Sequence, residues 1–209
     1  MKNDNDIHEE ISNYYSSKIN IHGDTPQGVD WNGYESQFLR FEILSKIISM
    51  PNSRITVNDL GCGYGSYYEY LKRVYSDLDY QGIDLSKDMI DSALNRHNGN
   101  LGALFIVSDR PDRISDYSMA SGIFNIKQDR NDEEWWDYLV NTLHMLDRFS
   151  SKGFSFNCLT SFSDVDKMKD YLYYADPMKV FEYCKNNFSK NVALLHDYDL
   201  YEFTILVRK

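Results

Sequence analysis

The sequence predicts an α/β fold in which strands and helices alternate along one domain of 209 residues. Apolar residues recur at the strand period and then at the helical period over most of the chain. A β-branched segment, 54–60, leads directly into three closely spaced glycines and then into a helical pattern, 67–75. Two segments rich in strand-forming residues, 192–196 and 201–207, are separated by a short acidic turn. They predict a hairpin at the end of the chain.

The N-terminal part of the chain is predicted to hold two helices joined by a loop. The first helix spans about Asp6 to Ser16. The polar, glycine-containing segment 19–28 has turn chemistry and is expected to form a loop or lid. From Asn32 to Met50 apolar residues recur near the helical period until Pro51 ends the run. This second helix is expected to pack on the sheet.

The middle of the chain alternates strands with well-capped helices. A second strand ends at Asp84, and Ser86 can cap the helix that follows it. A long helix is expected to begin at Asn131 or Asp132 and to end near Phe149. Three further strands are predicted, at 104–107, 117–124 and 153–159.

The segment between the fifth strand and the terminal hairpin is predicted to be helical from Val165 to Asn187, with a break near Pro177. Aromatic residues recur in it at partly helical spacing. Such a stripe is usually part of a core, but it also suits the roof of a pocket.

Charge and cysteine usage exclude several classes of protein. The formal net charge is −10, from 32 acidic and 22 basic residues, which disfavours a nucleic-acid partner. Cys62, Cys158 and Cys184 lack metal-ligand spacing and are typical of a reducing compartment, so we expect a cytoplasmic protein. No stretch approaches the roughly 20 apolar residues that a membrane span requires, and the segment 1–10 is polar, so no membrane partner is expected.

Alternating glycines carry the strongest functional signal. Three of them follow a predicted strand: Gly61, Gly63 and Gly65. Asp59 stands just before them. Glycine lets the backbone turn sharply and approach a ligand where any Cβ would collide with it. A tight strand-to-helix turn can need glycines for packing alone, so this run by itself leaves both interpretations open.

A carboxylate at the end of the second strand strengthens the ligand-binding interpretation. Asp84 lies 19 residues after Gly65, where its oxygens can accept hydrogen bonds from both hydroxyls of an adenosine ribose. The alternative is that Asp84 merely caps the following helix. Nicotinamide-binding proteins also place an acid here, but they space their glycines at positions one, three and six, without an acid in front. Ser66 at the sixth position keeps that alternative open.

The glycine run and Asp84 together resemble the class I family of S-adenosylmethionine-dependent methyltransferases, and the resemblance covers about Ile43 to the C-terminus. It implies a three-layer sandwich around a seven-stranded, mostly parallel sheet with an antiparallel last strand. It also implies one domain, 1–209, with an N-terminal helical lid, 1–31, and a helical insertion before the sixth strand, 161–189, that caps the substrate.

The resemblance implies S-adenosylmethionine as cofactor and S-adenosylhomocysteine as product, and it assigns roles to the motif residues. The three glycines would lie against the methionine part of the cofactor, Asp84 would bind the ribose, and Asp59 would also belong to the cofactor site. The motif residues that would bind the cofactor are therefore Asp59, Gly61, Gly63, Gly65 and Asp84.

Further residues of the same match would surround the adenine and the methyl group. Leu85 and Met89 would flank the adenine, and Asp109 would meet its amino group. Ser121 would border the transferred methyl. The run 108–111 departs from the family, which more often has an acid followed by a hydrophobic residue here.

Aromatic residues of the N-terminal piece resemble the lid that small-molecule members fold over the cofactor. Tyr14 and Tyr15 are candidates for cofactor contact, with core packing as the alternative. Arg40 could hold the cofactor carboxylate through its fork of donors. The alternative for Arg40 is an ion pair with Glu35, Glu42 or a neighbour.

Methyl transfer to a hydroxyl or a protonated amine also requires a base, and histidine is the first side chain to consider. His196 follows the sixth predicted strand, and His22 lies in the lid segment. His196 could instead be a turn residue bonded to Asp197 or Asp199. That acidic turn could also ligate a divalent cation, but such turns are more often solvated, and we expect no metal site.

The sequence therefore predicts a methyltransferase that acts on an O or N atom of a small-molecule acceptor and that can form a homodimer. Two alternatives stay open: methylation of a protein or RNA, and a non-catalytic domain that binds the cofactor.

Overall fold

The computed structural model describes residues 4–49, 53–100 and 102–209. Met50 and Pro51, where the second helix was expected to end, lie outside the described residues. The helices are α1 (Asp4–His22), α2 (Tyr34–Ser45), α3 (Ser66–Val74), α4 (Lys87–Arg96), α5 (Asp132–Arg148) and α6 (Pro177–Asn187), with short 3-10 turns at Pro26–Val29 and Val165–Lys167. The strands are β1 (Ile55–Leu60), β2 (Leu78–Asp84), β3 (Ala103–Val107), β4 (Ser115–Ala120), β5 (Ser150–Thr160), β6 (Tyr174–Ala175), β7 (Asn191–Leu195) and β8 (Glu202–Arg208).

One mixed sheet organises the chain, in the order β3-β2-β1-β4-β5-β8-β7. The pairs from β3 to β5 are parallel, and β8 is antiparallel to both of its neighbours. The predicted mostly parallel sheet with an antiparallel last strand is confirmed. An eighth short strand, β6, pairs in parallel with the end of β5.

Helices cover both faces of the sheet, which makes the three layers that were predicted. On one face, α2, α3 and α4 bury side chains such as Leu44, Leu71 and Ala93 against the strands. On the other, α5 and α6 bury Leu143 and Val180. Because both faces are covered, the central strands β1 and β4 are buried along most of their length, as is typical of parallel sheets.

The predicted helix caps are confirmed. The Ser86 hydroxyl accepts a hydrogen bond from the Met89 amide at the start of α4. The Asn131 side chain accepts hydrogen bonds from the amides of Glu133 and Glu134 at the start of α5. Each cap satisfies amides that have no partner within the helix.

Four boundaries differ from the predictions. The second helix ends at Ser45, before the predicted residue 50. The first helix continues to His22, past the predicted end at Ser16, because its later turns pack on α4. The fourth strand ends at Ala120, before the predicted 124. The expected helix from Val165 is absent in the described chain until Pro177, which occupies the first turn of α6 behind an Asp176 cap. Proline suits that position, since its missing amide would be unpaired there anyway.

The order of the strands reverses at β1, whose neighbours are β2 on one side and β4 on the other. In open parallel sheets ligands bind in the crevice that such a reversal leaves at the carboxyl ends of the strands. No helix in the described part of the chain is long and apolar enough to cross a membrane.

Candidate active site

A cavity occupies this crevice, and α1 lies across it. Together with its open mouth it encloses about 940 Å³. The residues of β1 and β2 that border it come from their carboxyl ends, and Ser121 directly follows the carboxyl end of β4. Nine predicted site residues line it: Tyr15, Asp59, Gly61, Gly63, Asp84, Leu85, Met89, Asp109 and Ser121.

The glycine turn approaches the opposite wall of the cavity more closely than a side chain would allow. Gly61 and Gly63 both have positive φ, at 74° and 54°, which L side chains rarely adopt. A Cβ on Gly61 would stand 2.3 Å from the side chain of Ile123, and one on Gly63 would stand 2.8 Å from that of Val29. The alternating glycines are therefore required by the site's geometry. Gly65 does not line the cavity, since it faces the His97 ring.

Backbone amides orient the Asp84 carboxylate. Its Oδ2 accepts a hydrogen bond from the Gly63 amide at 2.9 Å, and its Oδ1 accepts one from the Ser86 amide at 2.8 Å. Burial raises the pKa of Asp84 to about 6, and these amide hydrogen bonds counteract the rise. The carboxylate is thus fixed by the same turn that forms the floor of the cavity, and each oxygen keeps lone-pair capacity for a ligand.

Two buried polar atoms in the wall have no partner in the residues that the structure describes: Asp59 Oδ1 and Ser121 Oγ. Asp59 is 1% exposed, and its other oxygen accepts a hydrogen bond from the Tyr80 hydroxyl. Burial raises the pKa of Asp59 to about 7. Buried polar groups are nearly always hydrogen-bonded in proteins, so these atoms point to a polar ligand in the cavity.

Helix α1 is tied to both rims of the cavity. Ser12 donates a hydrogen bond to the Leu85 carbonyl, and the hydroxyls of Ser16 and Ser86 lie 2.8 Å apart. At the opposite rim, Arg130 binds the Glu10 carboxylate through Nε at 2.9 Å. The helix therefore closes the crevice from above.

Three side chains of α1 line the cavity: His8, Ile11 and Tyr15. Of these, sequence reasoning proposed only Tyr15. Their spacing of three and four residues places them on one face of the helix predicted from Asp6 to Ser16, and this spacing was the signal that could have singled out that face. His8 Nδ1 lies 3.9 Å from the Asp109 carboxylate.

Tyr14 and Arg40 do not line the cavity, and each has a partner elsewhere. The Tyr14 hydroxyl donates to Asp30 at 2.8 Å and so holds the segment that follows α1. The Arg40 guanidinium forks onto the buried Glu202 carboxylate. Glu202 thus takes the place of the acidic neighbours considered from the sequence.

Trp31 is a cavity residue that the sequence did not single out. Its indole lies between the Arg40 guanidinium, 3.9 Å from the ring centre, and the backbone of Gly122, where a Cβ would stand 2.4 Å from the ring. The Gly122 amide donates to the Asn157 side chain, which in turn donates to Glu202. Only the packing of distant segments makes this arrangement, so no local pattern could predict it.

Comparisons with known proteins agree with this geometry. A family model described as a methyltransferase domain matches residues 58–113, which hold the glycine turn, Asp84 and Asp109. Rv1506c of Mycobacterium tuberculosis, a protein named as a methyltransferase, is 55% identical over 154 residues, which is 74% of this chain and 93% of that protein. The chain belongs to the class I S-adenosylmethionine-dependent methyltransferase family.

Solved methyltransferases share the fold of the whole chain. The magnesium protoporphyrin IX methyltransferase of Synechocystis PCC 6803, crystallised with S-adenosylmethionine, has a TM-score of 0.65 at 15% identity and covers 97% of both chains. The complex of DhpI with S-adenosylhomocysteine has a TM-score of 0.62 at 17% identity and covers 96% of both chains.

The two predicted bases of this methyltransferase lie outside the cavity wall. His196 is exposed and packs its ring near Phe162 and Phe203. His22 is the exposed last residue of α1. Their catalytic role stays a prediction. Within the described ranges no group of three or more His, Cys, Asp or Glu residues is arranged to hold a metal ion.

Proposed function

We propose that this methyltransferase transfers the methyl group of S-adenosylmethionine to an oxygen or nitrogen atom of a small-molecule acceptor. The observation that carries the proposal is the cavity in which the glycine turn and the amide-held Asp84 carboxylate lie together with several aromatic side chains. Tyr15, Trp31 and Tyr138 are among those aromatic side chains.

The residues present fit the cofactor. Asp59 Oδ1 and Ser121 Oγ are buried polar atoms without a hydrogen-bond partner among the described residues. Gly61 and Gly63 bring the backbone of the turn to the cavity, because side chains at these positions would collide with Ile123 and Val29. Asp84 would accept hydrogen bonds from the ribose hydroxyls. The roles predicted for the other cofactor residues stay proposals: Gly65, Leu85, Met89, Asp109, Tyr14 and Arg40.

Charge and enclosure favour a small acceptor without an anionic group. Three carboxylates line the cavity, Asp59, Asp84 and Asp109, and no Lys or Arg is found among the described lining residues. A carboxylate or phosphate on the acceptor would meet repulsion there without a compensating cation. Because α1 bridges both rims, a folded protein or an RNA duplex would have to displace it.

S-adenosylmethionine supplies an electrophilic methyl group on a sulfonium. The protein's part is to hold the acceptor in line with the bond that breaks and to exclude water, and such alignment can supply about 7–11 kcal/mol. Closure by α1 serves the second purpose. Loss of the acceptor's proton needs a base, for which His196 and His22 are the proposed candidates.

Calorimetric titration with S-adenosylhomocysteine, with NAD as the control ligand, tests the proposed cofactor. Micromolar binding of S-adenosylhomocysteine alone would support it, while binding of NAD alone, or of neither compound, would refute it. A panel of phenols, amines and carboxylic acids, assayed for release of S-adenosylhomocysteine, then tests the acceptor class. Turnover restricted to carboxylic acids would contradict the charge argument.

If His196 is the general base, its removal should affect the rate of methyl transfer but not the affinity for the cofactor product. His196→Ala should lower the transfer rate by about 10²-fold or more while leaving the affinity for S-adenosylhomocysteine unchanged. His144→Ala, a change at an exposed ring on α5, is the matched control. Full activity of His196→Ala would remove that residue from the mechanism.

A further inference from the structure

The histidine in the cavity wall lies at one end of the site. Asp84 ends β2, and Asp109 follows the neighbouring strand β3, whose last residue Val107 pairs with Asp84. A nucleoside whose ribose is held at Asp84 and that extends outward across the sheet therefore brings its base to Asp109. His8 of α1 stands over this end, with its Nδ1 3.9 Å from the Asp109 carboxylate.

Both side chains of this pair keep free hydrogen-bonding capacity. Within the described ranges neither ring nitrogen of His8 has a hydrogen bond, and the Asp109 carboxylate has none either; their mutual approach is the polar contact that joins them. The ring of His8 is held from the side by Tyr138 of α5, at a centroid distance of 6.2 Å. The pair thus offers a donor and an acceptor side by side, at the border of the cavity.

We propose that His8 is a base-recognition residue of the lid and that, with Asp109, it selects adenine and couples the base to closure of α1. This rests on the proposed cofactor. Adenine presents an amino donor next to a ring-nitrogen acceptor. Asp109 accepts from the amino group, and His8 donates to the ring nitrogen. In a base with a carbonyl in place of the amino group, the carbonyl oxygen, an acceptor, faces Asp109. The adjacent ring nitrogen carries a proton and faces His8.

Because His8 belongs to α1, binding of the base to His8 also affects how firmly the lid is held. Other residues of α1, such as Ser12 and Glu10, also hydrogen-bond to the rims of the cavity, and their partners are protein groups. Through His8 a bound base becomes a further tie. The correct base therefore holds the lid closed more firmly than an incorrect one.

The test compares S-adenosylhomocysteine with S-inosylhomocysteine, in which the 6-amino group is replaced by a carbonyl. Calorimetry is done on the wild type, His8→Ala and His8→Gln, with Glu9→Ala as the matched control at an exposed neighbouring position of α1. We expect His8→Ala to weaken S-adenosylhomocysteine about tenfold and to leave the inosine analogue nearly unchanged, since one hydrogen bond of this kind is lost. His8→Gln keeps a donor and should restore most of the preference.

Equal weakening of both ligands in His8→Ala would show a packing role and overturn the proposal, as would an unchanged preference. If the wild type binds neither ligand, the proposed cofactor fails and this inference fails with it; if it binds both equally well, only the inference fails. Amide hydrogen exchange gives a second readout. S-adenosylhomocysteine should slow exchange in residues 8–15 more than the inosine analogue does, and the difference should vanish in His8→Ala.

Discussion

Asp84 illustrates how a single side chain of the site is prepared by its backbone. Two amides orient its carboxylate, while burial raises its pKa to about 6. A group with such a pKa is ionised at neutral pH and becomes protonated under mildly acidic conditions. Asp84 is therefore the residue where ligand affinity and pH should be linked.

We expect Asp84→Asn to weaken S-adenosylhomocysteine binding by about 10-fold to 100-fold, because a charge-assisted hydrogen bond is lost. Affinity of the wild type should also fall as the pH is lowered through about 6, where the Asp84 carboxylate takes up a proton. Calorimetry across this pH range measures both effects. Asp91→Asn, an exposed change on α4, is the control, and unchanged affinity in a folded Asp84→Asn protein would remove the assigned role.

The raised pKa of Asp59 should make the stability of the fold depend on pH. Burial raises its pKa from the ordinary value of 3.8 to about 7, so the folded protein binds a proton that the unfolded chain has released between these values. The free energy of unfolding should thus fall as the pH rises from about 4 through about 7, at ~1.4 kcal/mol for each unit of pKa difference. Asp84 adds to the same trend.

Denaturant unfolding at several pH values, with Asp59→Asn compared with the wild type, isolates this contribution. The variant should lose less stability on going to higher pH. Subtracting the two curves removes the effect of His97, whose pKa burial lowers. Parallel curves for variant and wild type would contradict the account of Asp59.

At the scale of elements, α1 behaves as a cover held at two rims. Its serines meet the turn after β2, and Glu10 meets Arg130 in the segment before α5. A ligand cannot leave the closed crevice unless at least one of these ties opens. The ties should therefore govern how long a ligand stays bound.

We expect Arg130→Gln to raise the dissociation rate of S-adenosylhomocysteine about tenfold while the association rate changes little, since most interface changes act on dissociation. Stopped-flow displacement measures both rates. Lys87→Gln removes an exposed ion pair on α4 that does not touch α1 and serves as the control. An unchanged dissociation rate for Arg130→Gln would mean that this rim does not hold the lid.

At the scale of the whole molecule, a buried ion pair joins the second helix to the last strand. Arg40 and Glu202 are 162 residues apart in sequence, and their side chains are 8% and 1% exposed. The pair is continuous with Asn157 and with the backbone of Gly122 at the cavity. It therefore links the C-terminal hairpin to the wall that Trp31 forms.

Removal of one partner leaves the other charge buried, and Arg40→Met should lower the free energy of unfolding by about 3–5 kcal/mol. The double variant Arg40→Met/Glu202→Leu should be more stable than the single one, because no charge then stays buried. Denaturant unfolding measures both, with Arg54→Met, an exposed pair member, as the control. A double variant as unstable as the sum of its single changes would contradict the pairing.

The sequence by itself determined the architecture and the place of the glycine turn and of Asp84 within it, while their role in cofactor binding stays a proposal. Local patterns sufficed for both, because alternating periods define strands and helices, and the glycine turn and Asp84 act within one continuous strand–turn–helix–strand unit. The cap at Ser86 followed from the same local chemistry. The predicted cytoplasmic location and homodimer stay predictions.

Only the tertiary structure decided which side chains of the N-terminal lid line the cavity. His8 and Trp31 line the cavity because α1 and the segment that follows it fold back over the sheet. Arg40 forms its ion pair with Glu202 because β8 lies beside α2. The segment before α6 became a strand rather than a helix because the end of β5 offered a free edge. Contacts between segments far apart in the chain leave no periodic signal, and for that reason the sequence predicted the floor of the cavity and Tyr15 of its roof, but neither His8 nor Trp31.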